Sequence, residues 1–492
     1  MNGVHEFAGL VGPEFQAWLR QMERLGGCAA PVYLVGHTLT RDAATGDVLH
    51  VFTSASQPYG RFAVGCRNRR EGVCLPCSYL HKGDTYQIVV SGLVGGKGVP
   101  ADVAGHPRVF ATLTAPSFGA VHRATDPDNP RDRCRPRRDG GVCVHGVPLA
   151  CTARHDKRDA LIGAPLCWEC YRYADAVLWN ASVGRLWDRA VTYTTRELAK
   201  RAGIRVRDLR EQARISFTKV TEYQHRGSVH LHAVIRIDGP GGPDHPAPSW
   251  ASAGLLAEAV AAAVAAVRVS LPVPGVTGHG AGVGVLTFGP QLDVQEIRTG
   301  TALDALSDTA VAAYIAKYVT KGDIAGLVLP NRLRSEGQID VTPGLSDHAR
   351  RLMHTAWELG GLKQYEHLKL RTWAHQVGFR GHILTKSRRY STTYTALRSA
   401  RSAFHRPEEL DAVETVTERS WRLDRIGHTP GQAMFARGIA GKLQDTRDAR
   451  NEEAQRGRRA GSAGGRVSAA SGRPPGADRD QTRTPRGAGG EA

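Results

Sequence analysis

The chain has 492 residues, enough for two or three domains, and its 65 lysines and arginines against 47 aspartates and glutamates give a formal net charge of +18. A balance this basic favours a polyanionic partner, nucleic acid first. The N-terminus has no basic-then-apolar signal pattern, and the alanine-rich run from Ser252 to Val269 is too short and too polar to span a membrane, so we predict a cytoplasmic protein without a membrane anchor.

The first predicted element is a helix from Pro13 to Leu25. Proline fits the first turn of a helix, and Gly26-Gly27 would end it. Its apolar side chains repeat at helical spacing and form one face, which indicates packing rather than chemistry. These side chains are Phe15, Trp18, Leu19, Met22 and Leu25.

The nine cysteines are clustered, and in a reducing compartment such clusters are more often metal sites than disulfides. Cys66, Cys74 and Cys77 form a first group that contains one C-x-x-C pair. Tetrahedral zinc needs four thiolate or imidazole ligands, so this group requires His81 or a distant partner such as Cys134. Cys28 stands alone and is predicted to be an ordinary buried thiol.

A second group follows about seventy residues later and ends in another C-x-x-C pair. It has enough ligands for one structural zinc ion, with either Cys143 or His145 as the first ligand. The two groups could hold one zinc ion each or share a single site, and free buried thiols are the alternative. The candidates in the second group are Cys143, His145, Cys151, His155, Cys167 and Cys170.

Three strands are predicted around a pair of histidines. Val109 to Thr114 alternates apolar with small or polar residues, and Arg214 to Gln224 and Val229 to Arg236 are rich in β-branched residues. Because side chains alternate faces along a strand, His230 and His232 point the same way. A turn at 225–228 would place Glu222 across a hairpin from them, where a third metal ligand belongs. The alternative is that the histidines belong to a polar outer face.

The next predicted helix carries two tyrosines. Ser307 or Asp308 can cap its start and Gly322 can end it. Residues four apart share a helix face, so Tyr314 and Tyr318 form one pair and Lys317 and Lys321 form another. An amphipathic surface helix is the alternative interpretation. The residues predicted to pack on a sheet are Ala312, Ile315, Ala316 and Val319.

Basic and aromatic residues are interleaved over residues 367–390, which suits a nucleic-acid groove in which cations bind phosphates and rings stack on bases. A solvated helix face is the alternative. From about Gly441 onward large apolar residues nearly vanish, which predicts a disordered basic tail. The predicted DNA-binding residues are Arg371, Trp373, Arg380, Lys386, Arg388 and Arg389.

The His-hydrophobic-His strand followed by the Tyr-x-x-Lys-Tyr-x-x-Lys helix resembles the HUH endonuclease superfamily, and within it the rolling-circle replication initiators. The paired tyrosines resemble the gene A proteins of single-stranded DNA phages. The wider chain is similar to the plasmid and integrative-element initiators of actinobacteria, over roughly residues 60–400. In these initiators a Phe-x-Thr-Leu-Thr strand is the first shared motif, which implies that Thr112 and Thr114 lie near the site.

The resemblance implies an α+β fold, with an HUH nuclease domain built on a central antiparallel, ferredoxin-like sheet flanked by helices. A cysteine-rich, zinc-binding insertion would interrupt this domain at about residues 134–170. The predicted division is 1–60, an N-terminal helical extension; 61–105, a cysteine-containing segment; 106–330, the nuclease domain; 331–440, a basic DNA-binding region; and 441–492, the tail.

It also implies a metal-dependent nickase that initiates rolling-circle replication. Mn²⁺ or Mg²⁺ held by His230, His232 and Glu222 would polarise the scissile phosphate. Tyr314 or Tyr318 would attack and form a 5′-phosphotyrosine link that leaves a 3′-hydroxyl for synthesis, with Lys317 or Lys321 positioning phosphate. Which tyrosine cuts first stays open.

The chain has no Walker-type phosphate-binding motif, so a host helicase and a polymerase are expected partners besides origin DNA. A paired-tyrosine transposase of the same superfamily is one alternative function. A conjugative relaxase fits less well, since relaxases usually place the tyrosine before the histidines. A non-catalytic, zinc-containing DNA-binding regulator is the alternative from another class.

Overall fold

A computed structural model describes residues 12–135, 141–272, 283–297, 307–320, 326–404 and 413–464. The helices are α1 Pro13–Arg24, α2 Leu75–Val94, α3 Tyr173–Arg201, α4 Val206–Gln212, α5 Ala253–Ala266, α6 Asp308–Thr320, α7 Gly337–Val341, α8 Asp347–Leu359, α9 Leu370–Trp373, α10 Tyr394–Phe404 and α11 Pro430–Gly464. The strands are β1 Val32–Asp42, β2 Val48–Thr53, β3 Phe62–Val64, β4 Arg108–Leu113, β5 Arg214–Tyr223, β6 Val229–Asp238, β7 Val269–Pro272, β8 Val283–Leu286, β9 Leu292–Glu296, β10 Leu384–Lys386 and β11 Thr415–Ile426. The predicted mixture of helices with antiparallel sheets is confirmed.

The larger sheet has five antiparallel strands in the order β10-β5-β6-β4-β9. Its central strands are largely buried on both faces, because helices cover both of them. On one face α3 packs through Trp187, whose ring meets that of Phe217 on β5 at 5.0 Å. On the other face α6 lies against β5 and β6, and Tyr314 meets the ring of His232 at 5.0 Å. The sheet therefore presents its histidines to one helix layer.

A second sheet joins the two ends of the described chain. Strand β11 pairs with β1 along nearly its whole length, and β2 and β3 also pair with β1. Its small core contains Phe15, Trp18 and Met22 from α1 together with Tyr33 from β1, and Phe435 from α11 packs against it. The strand that completes the N-terminal sheet thus comes from a remote part of the sequence, and the division at residue 60 stays a prediction.

The C-terminal helix differs from the sequence expectation. Helix α11 runs through residue 441, where the disordered tail was expected, and continues to Gly464. Leu443 reaches Gly26, and Arg447 lies over the ring of Tyr79, so α11 packs on the N-terminal part of the chain. Residues 465–492 of the expected tail lie outside the described residues.

No helix within the described ranges is both long and apolar enough to cross a membrane. The alanine-rich segment forms α5, which is capped by the Ser252 hydroxyl accepting from the backbone N–H of Leu255. Its buried side chains, among them Leu256, Val260 and Val264, belong to the main core.

Candidate functional site

The candidate site is built on the hairpin that β5 and β6 form. The strands pair with Glu222 directly opposite His230, and His232 follows on the same face of β6. The Nε2 atoms of His230 and His232 are 2.6 Å apart, and the Oε2 atom of Glu222 lies 3.5 Å and 3.2 Å from them. The structure thus brings together the three predicted ligands of the divalent metal ion.

The electrostatics of this triad suit a cation. Burial lowers the pKa of His232, which keeps the imidazole neutral and its lone pairs available. Burial alone would raise the pKa of Glu222, but hydrogen bonding with His230 and His232 outweighs it, and the pKa is lowered. Two imidazoles and one carboxylate, with ligand atoms within 4.8 Å of one another, are a donor set that could hold a divalent cation.

Neighbouring side chains hold the two imidazoles in place. Thr112 on β4 lies opposite His232 in the sheet, and its Oγ1 is 3.1 Å from the Nδ1 of that histidine. Gln224 approaches the Nδ1 of His230 at 3.5 Å. The ring of Phe110 stacks on His232 with centroids 5.8 Å apart. Thr114, the other threonine expected near the site, is buried.

Helix α6 places both tyrosines over the triad. The Oη of Tyr314 is 3.3 Å from the Nε2 of His232. Tyr318 stacks on the same imidazole at 5.7 Å and meets the ring of Tyr314 at 4.7 Å. The structure therefore brings the hydroxyl of Tyr314 within hydrogen-bonding distance of a candidate metal ligand.

The environment of Tyr314 keeps its phenol protonated. Burial raises the pKa of Tyr314, and the adjacent Tyr318 and Glu222 raise it further. Positive charge is available on the same helix, where the ammonium of Lys317 lies 5.8 Å from the centroid of the Tyr318 ring. Lys321, predicted to share the face of Lys317, lies outside the described residues.

Buried contacts at both ends fix α6. At its start, the hydroxyl of Ser307 accepts from the backbone N–H of Ala310, as expected for a capping residue. Asp308 forms an ion pair with Arg108 of β4 at 3.1 Å, with both side chains buried. At the other end, Arg69 donates to the carbonyl of Val319 at 3.1 Å. The tyrosines therefore sit on a helix that is tied to the sheet beside the triad.

The structure groups the cysteines differently from the sequence prediction. Cys28 is buried but not isolated, since its Sγ lies 3.6 Å from that of Cys77. Cys28 takes the place for which His81 or Cys134 was considered, and the ring of His81 stacks on Tyr394 instead. The three groups are Cys28, Cys66, Cys74 and Cys77; His122, Cys134, Cys151 and His155; and Cys143, His145, Cys167 and Cys170.

The middle group was missed in the sequence. Cys151 was assigned with Cys167 and Cys170, whereas its Sγ lies 3.5 Å from the Nε2 of His155. The available signal was the four-residue spacing of Cys151 and His155, which is common among zinc ligands. His122 carried no such signal, because its partners are remote in the sequence.

The side chains predicted to bind DNA after the tyrosine helix mostly have partners within the protein. Arg371 donates to the carbonyl of Trp357, and Arg380 to that of His367. Arg389 donates to the carbonyl of Gly241, and Lys386 is half-buried with its closest contact to the carbonyl of Ser391, at 2.8 Å. DNA contact by these residues, and by Trp373 and Arg388, stays a prediction.

Comparison with known proteins gives consistent relatives. The family model RepSA, described as the replication initiator protein of pSAM2, matches residues 14–441. A replication initiator protein from Streptomyces ambofaciens is 40% identical over 450 residues, covering 89% of this chain and 93% of that protein. No solved structure is significantly similar to the chain.

Proposed function

Because the chain belongs to the RepSA family of replication initiator proteins, we propose that it starts replication by cutting one DNA strand with a tyrosine of α6. A replication initiator must act on DNA, which agrees with the net charge of +18. The observation that carries the nicking proposal is the 3.3 Å distance between the Tyr314 hydroxyl and the His232 imidazole, within a triad suited to a divalent cation.

The roles of the site residues follow from their chemistry. Glu222, His230 and His232 would hold Mn²⁺ or Mg²⁺, and such an ion polarises a phosphate and stabilises charge developing on it. Thr112 orients His232, so that the metal-facing nitrogen keeps its direction. Lys317 positions a phosphate beside the tyrosines. Tyr314 supplies the nucleophile.

The covalent step exchanges one phosphodiester for another. The Tyr314 oxygen forms a bond to phosphorus as its phenolic proton passes to water, and the bond from phosphorus to the 3′-oxygen breaks. The departing 3′-oxygen takes one proton back from water, and the resulting 3′-hydroxyl primes synthesis. Because the 5′-phosphotyrosine retains the bond energy, the strand can be rejoined by the reverse reaction.

The two tyrosines suit successive cuts. Tyr318 lies one helical turn from Tyr314 and contacts the same imidazole by ring stacking. In this proposal Tyr314 cuts first and remains bonded to DNA while Tyr318 attacks the regenerated site. A host helicase then separates the strands, and a host polymerase carries out synthesis. The same chemistry would serve a paired-tyrosine transposase, but family membership favours the initiator.

The test incubates purified protein with Mn²⁺ and single-stranded DNA that carries the origin of its own element. We expect a covalent protein–DNA adduct on a denaturing gel, lost in Tyr314→Phe, in His230→Ala plus His232→Ala, and on addition of EDTA. Tyr79→Phe is the matched control, since Tyr79 is exposed and packs with Arg447 of α11.

The remaining outcomes discriminate between the alternatives. Loss of the adduct in Tyr318→Phe with retention in Tyr314→Phe would reverse the order of the tyrosines. No adduct from folded protein on a correct origin, or an adduct that persists in the double tyrosine variant, would overturn the nicking proposal. A protein that binds origin DNA without any adduct would be a non-catalytic regulator.

A further inference from the structure

A second cluster of metal-binding side chains lies close to the tyrosine site. The Nδ1 of His122 is 3.2 Å from the Nε2 of His155 and 3.7 Å from the Sγ of Cys134. The Sγ of Cys151 is 3.5 Å from the Nε2 of His155. A tetrahedral zinc ion, with bonds of about 2.3 Å to sulfur and 2.0–2.1 Å to nitrogen, requires roughly 3.3–3.8 Å between its ligand atoms. The four side chains are spaced as such ligands are.

The other two groups have the same spacing. In the group of four cysteines, the Sγ of Cys28 lies 3.8 Å from Cys74 and 3.6 Å from Cys77. In the third group, the Nδ1 of His145 lies between 3.3 and 3.9 Å from the three sulfur atoms around it. The three groups together contain all nine cysteines of the sequence, which scattered thiols would not do.

We propose that the protein holds three structural zinc ions, one in each group, and that two of them cross-brace residues 120–170. Along the chain the ligands occur as four pairs. The first and third pairs, His122 with Cys134 and Cys151 with His155, form one site. The second and fourth pairs form the other site: Cys143, His145, Cys167 and Cys170. Because the pairs alternate in this way, the two ions would cross-link the segment at two points.

Surrounding groups support ligands rather than free thiols. The carboxylate of Asp159 lies 2.6 Å from the Nδ1 of His155, which directs the Nε2 of that ring toward the cluster. The backbone N–H of Arg123 donates to the Sγ of Cys134, as expected around a zinc-bound thiolate. In the four-cysteine group, the backbone N–H of Cys66 donates to Cys28 in the same way.

Residues 120–170 need such cross-links because their apolar side chains are not gathered into a core. Val144 is 94% exposed and Val142 61% exposed, and Leu161 is also exposed. A segment that buries so little apolar surface gains its folding energy from elsewhere, and metal coordination supplies it in small domains of this kind.

The first zinc site, formed by His122, Cys134, Cys151 and His155, also borders the route to the tyrosine site. Gly163 approaches the backbone of His225 so closely that a Cβ atom would lie 2.2 Å from it, and the Tyr171 hydroxyl donates to the carbonyl of Arg226. Between this segment and the hairpin lies a cleft of about 690 Å³ that reaches Glu222 and His230. Lys157 lines the cleft with a cationic side chain, whereas the guanidinium of Arg123, which also lines it, is paired with the carboxylate of Asp132. We assign the single strand that leads to the scissile phosphate to this cleft, a step that rests on the proposed function.

The zinc content of the purified full-length protein tests the sites. Elemental analysis should give three zinc ions per folded chain, and fewer would overturn the proposal. Replacing two cysteines of one site by serine should remove one ion in each case: Cys134 with Cys151, Cys167 with Cys170, and Cys74 with Cys77. His81→Ala is the matched control and should retain three. A Cys134→Ser plus Cys151→Ser variant that keeps three ions would refute the first site.

The wild-type measurement does not depend on whether the variants fold, and none of these readouts depends on nicking.

The cleft is tested by Lys157→Ala, with Arg158→Ala on the same exposed turn as the control. We expect Lys157→Ala to weaken single-strand binding several-fold at low salt with the zinc content unchanged. Equal binding by the two variants would contradict the assignment of the cleft while leaving the zinc sites intact.

Discussion

At the scale of single residues, the contact between strands β4 and β6 sets the direction of the central histidine. The Oγ1 of Thr112 lies 3.1 Å from the Nδ1 of His232, while the Nε2 of the same ring faces Glu222 and Tyr314. When Nε2 binds a metal ion, Nδ1 carries the proton and donates a hydrogen bond to the threonine hydroxyl. The threonine therefore fixes which nitrogen is available to the metal.

Thr112→Val keeps the shape of the side chain and removes this acceptor. We expect about 10- to 100-fold weaker metal affinity, because partners of metal-bound histidines have effects of that size. The Mn²⁺ concentration needed for half-maximal adduct formation and a direct Mn²⁺ titration would measure it. Thr221→Val, on the opposite face of β5, is the control, and equal Mn²⁺ dependence of the two variants would refute the role of Thr112.

A second residue-scale prediction concerns His348. Its Nε2 donates to the carbonyl of Arg226 in the hairpin turn, and its Nδ1 faces the hydroxyl of Tyr173. Burial lowers its pKa from 6.5 to about 4, although the Arg226 carbonyl opposes the shift. Because the unfolded state binds the proton more readily, the stability from this histidine is present above its unfolded pKa and is lost as the pH falls from 6.5 towards 4.

The contribution of His348 to the free energy of unfolding should fall by about 2 kcal/mol between roughly pH 7.5 and pH 5. Chemical unfolding at the two pH values would measure it. His348→Gln keeps a donor for the Arg226 carbonyl but does not titrate, so its stability should fall less steeply than that of the wild type. Parallel slopes for the two proteins would contradict the assignment to His348.

At this scale the sequence identified residues that short-range geometry relates. Strand alternation was enough to place His230 and His232 on one face, and a hairpin turn was enough to bring Glu222 opposite them. The partner of Cys28 could not be found in this way. Cys28 and Cys77 are separated by strands β1, β2 and β3, and no local period relates them.

At the scale of secondary structure elements, the position of α6 decides whether the tyrosines reach the triad. Its first turn is held by the buried ion pair between Asp308 and Arg108, and its last turn by the hydrogen bond from Arg69 to Val319. Arg108 is only 1% exposed and also donates to the carbonyl of Ala104. Removing its acidic partner would leave a buried guanidinium without an opposite charge.

Asp308→Ala should therefore lower the free energy of unfolding by about 3 kcal/mol, the cost typical of breaking a buried pair from one side. It should also reduce adduct formation, because the start of α6 loses its attachment to β4. Thr309→Ala, on the exposed side of the same turn, serves as the control in denaturant unfolding and in the adduct assay. An Asp308→Ala protein as stable as this control would show that the ion pair does not hold the helix.

The elements themselves were more predictable than their connections. Helix α6 and strands β5 and β6 follow from apolar periodicity and lie within a few residues of their predicted ends. Residues 120–170 had no such period, because candidate ligand pairs there alternate between two groups of side chains. Neighbouring cysteines in the sequence were therefore assigned to one group when the structure places them in two, as it does Cys151 and Cys167.

At the scale of the whole molecule, the two sheets are separate packing units. The smaller sheet unites β1 with β11, so residues almost four hundred positions apart form one surface. Trp421 of β11 is half-buried on this sheet, donating from its indole nitrogen to the hydroxyl of Thr38 and packing on Phe52 and Phe62. The larger sheet, which carries the triad, has its own core.

Trp421→Ala should consequently destabilise the smaller sheet and leave the larger sheet unchanged. We expect the free energy of unfolding to fall by about 2 kcal/mol. Truncating a fully buried tryptophan would lower it more, but Trp421 is only half-buried. Amide hydrogen exchange should quicken in β1 but not in β6, and adduct formation should persist, since no triad contact passes through β11. Arg419→Ala, an exposed change on the same strand, is the control. Faster exchange in both strands would mean that the small sheet supports the core of the larger sheet, and the proposed active site would then depend on the C-terminal strand as much as on its own hairpin.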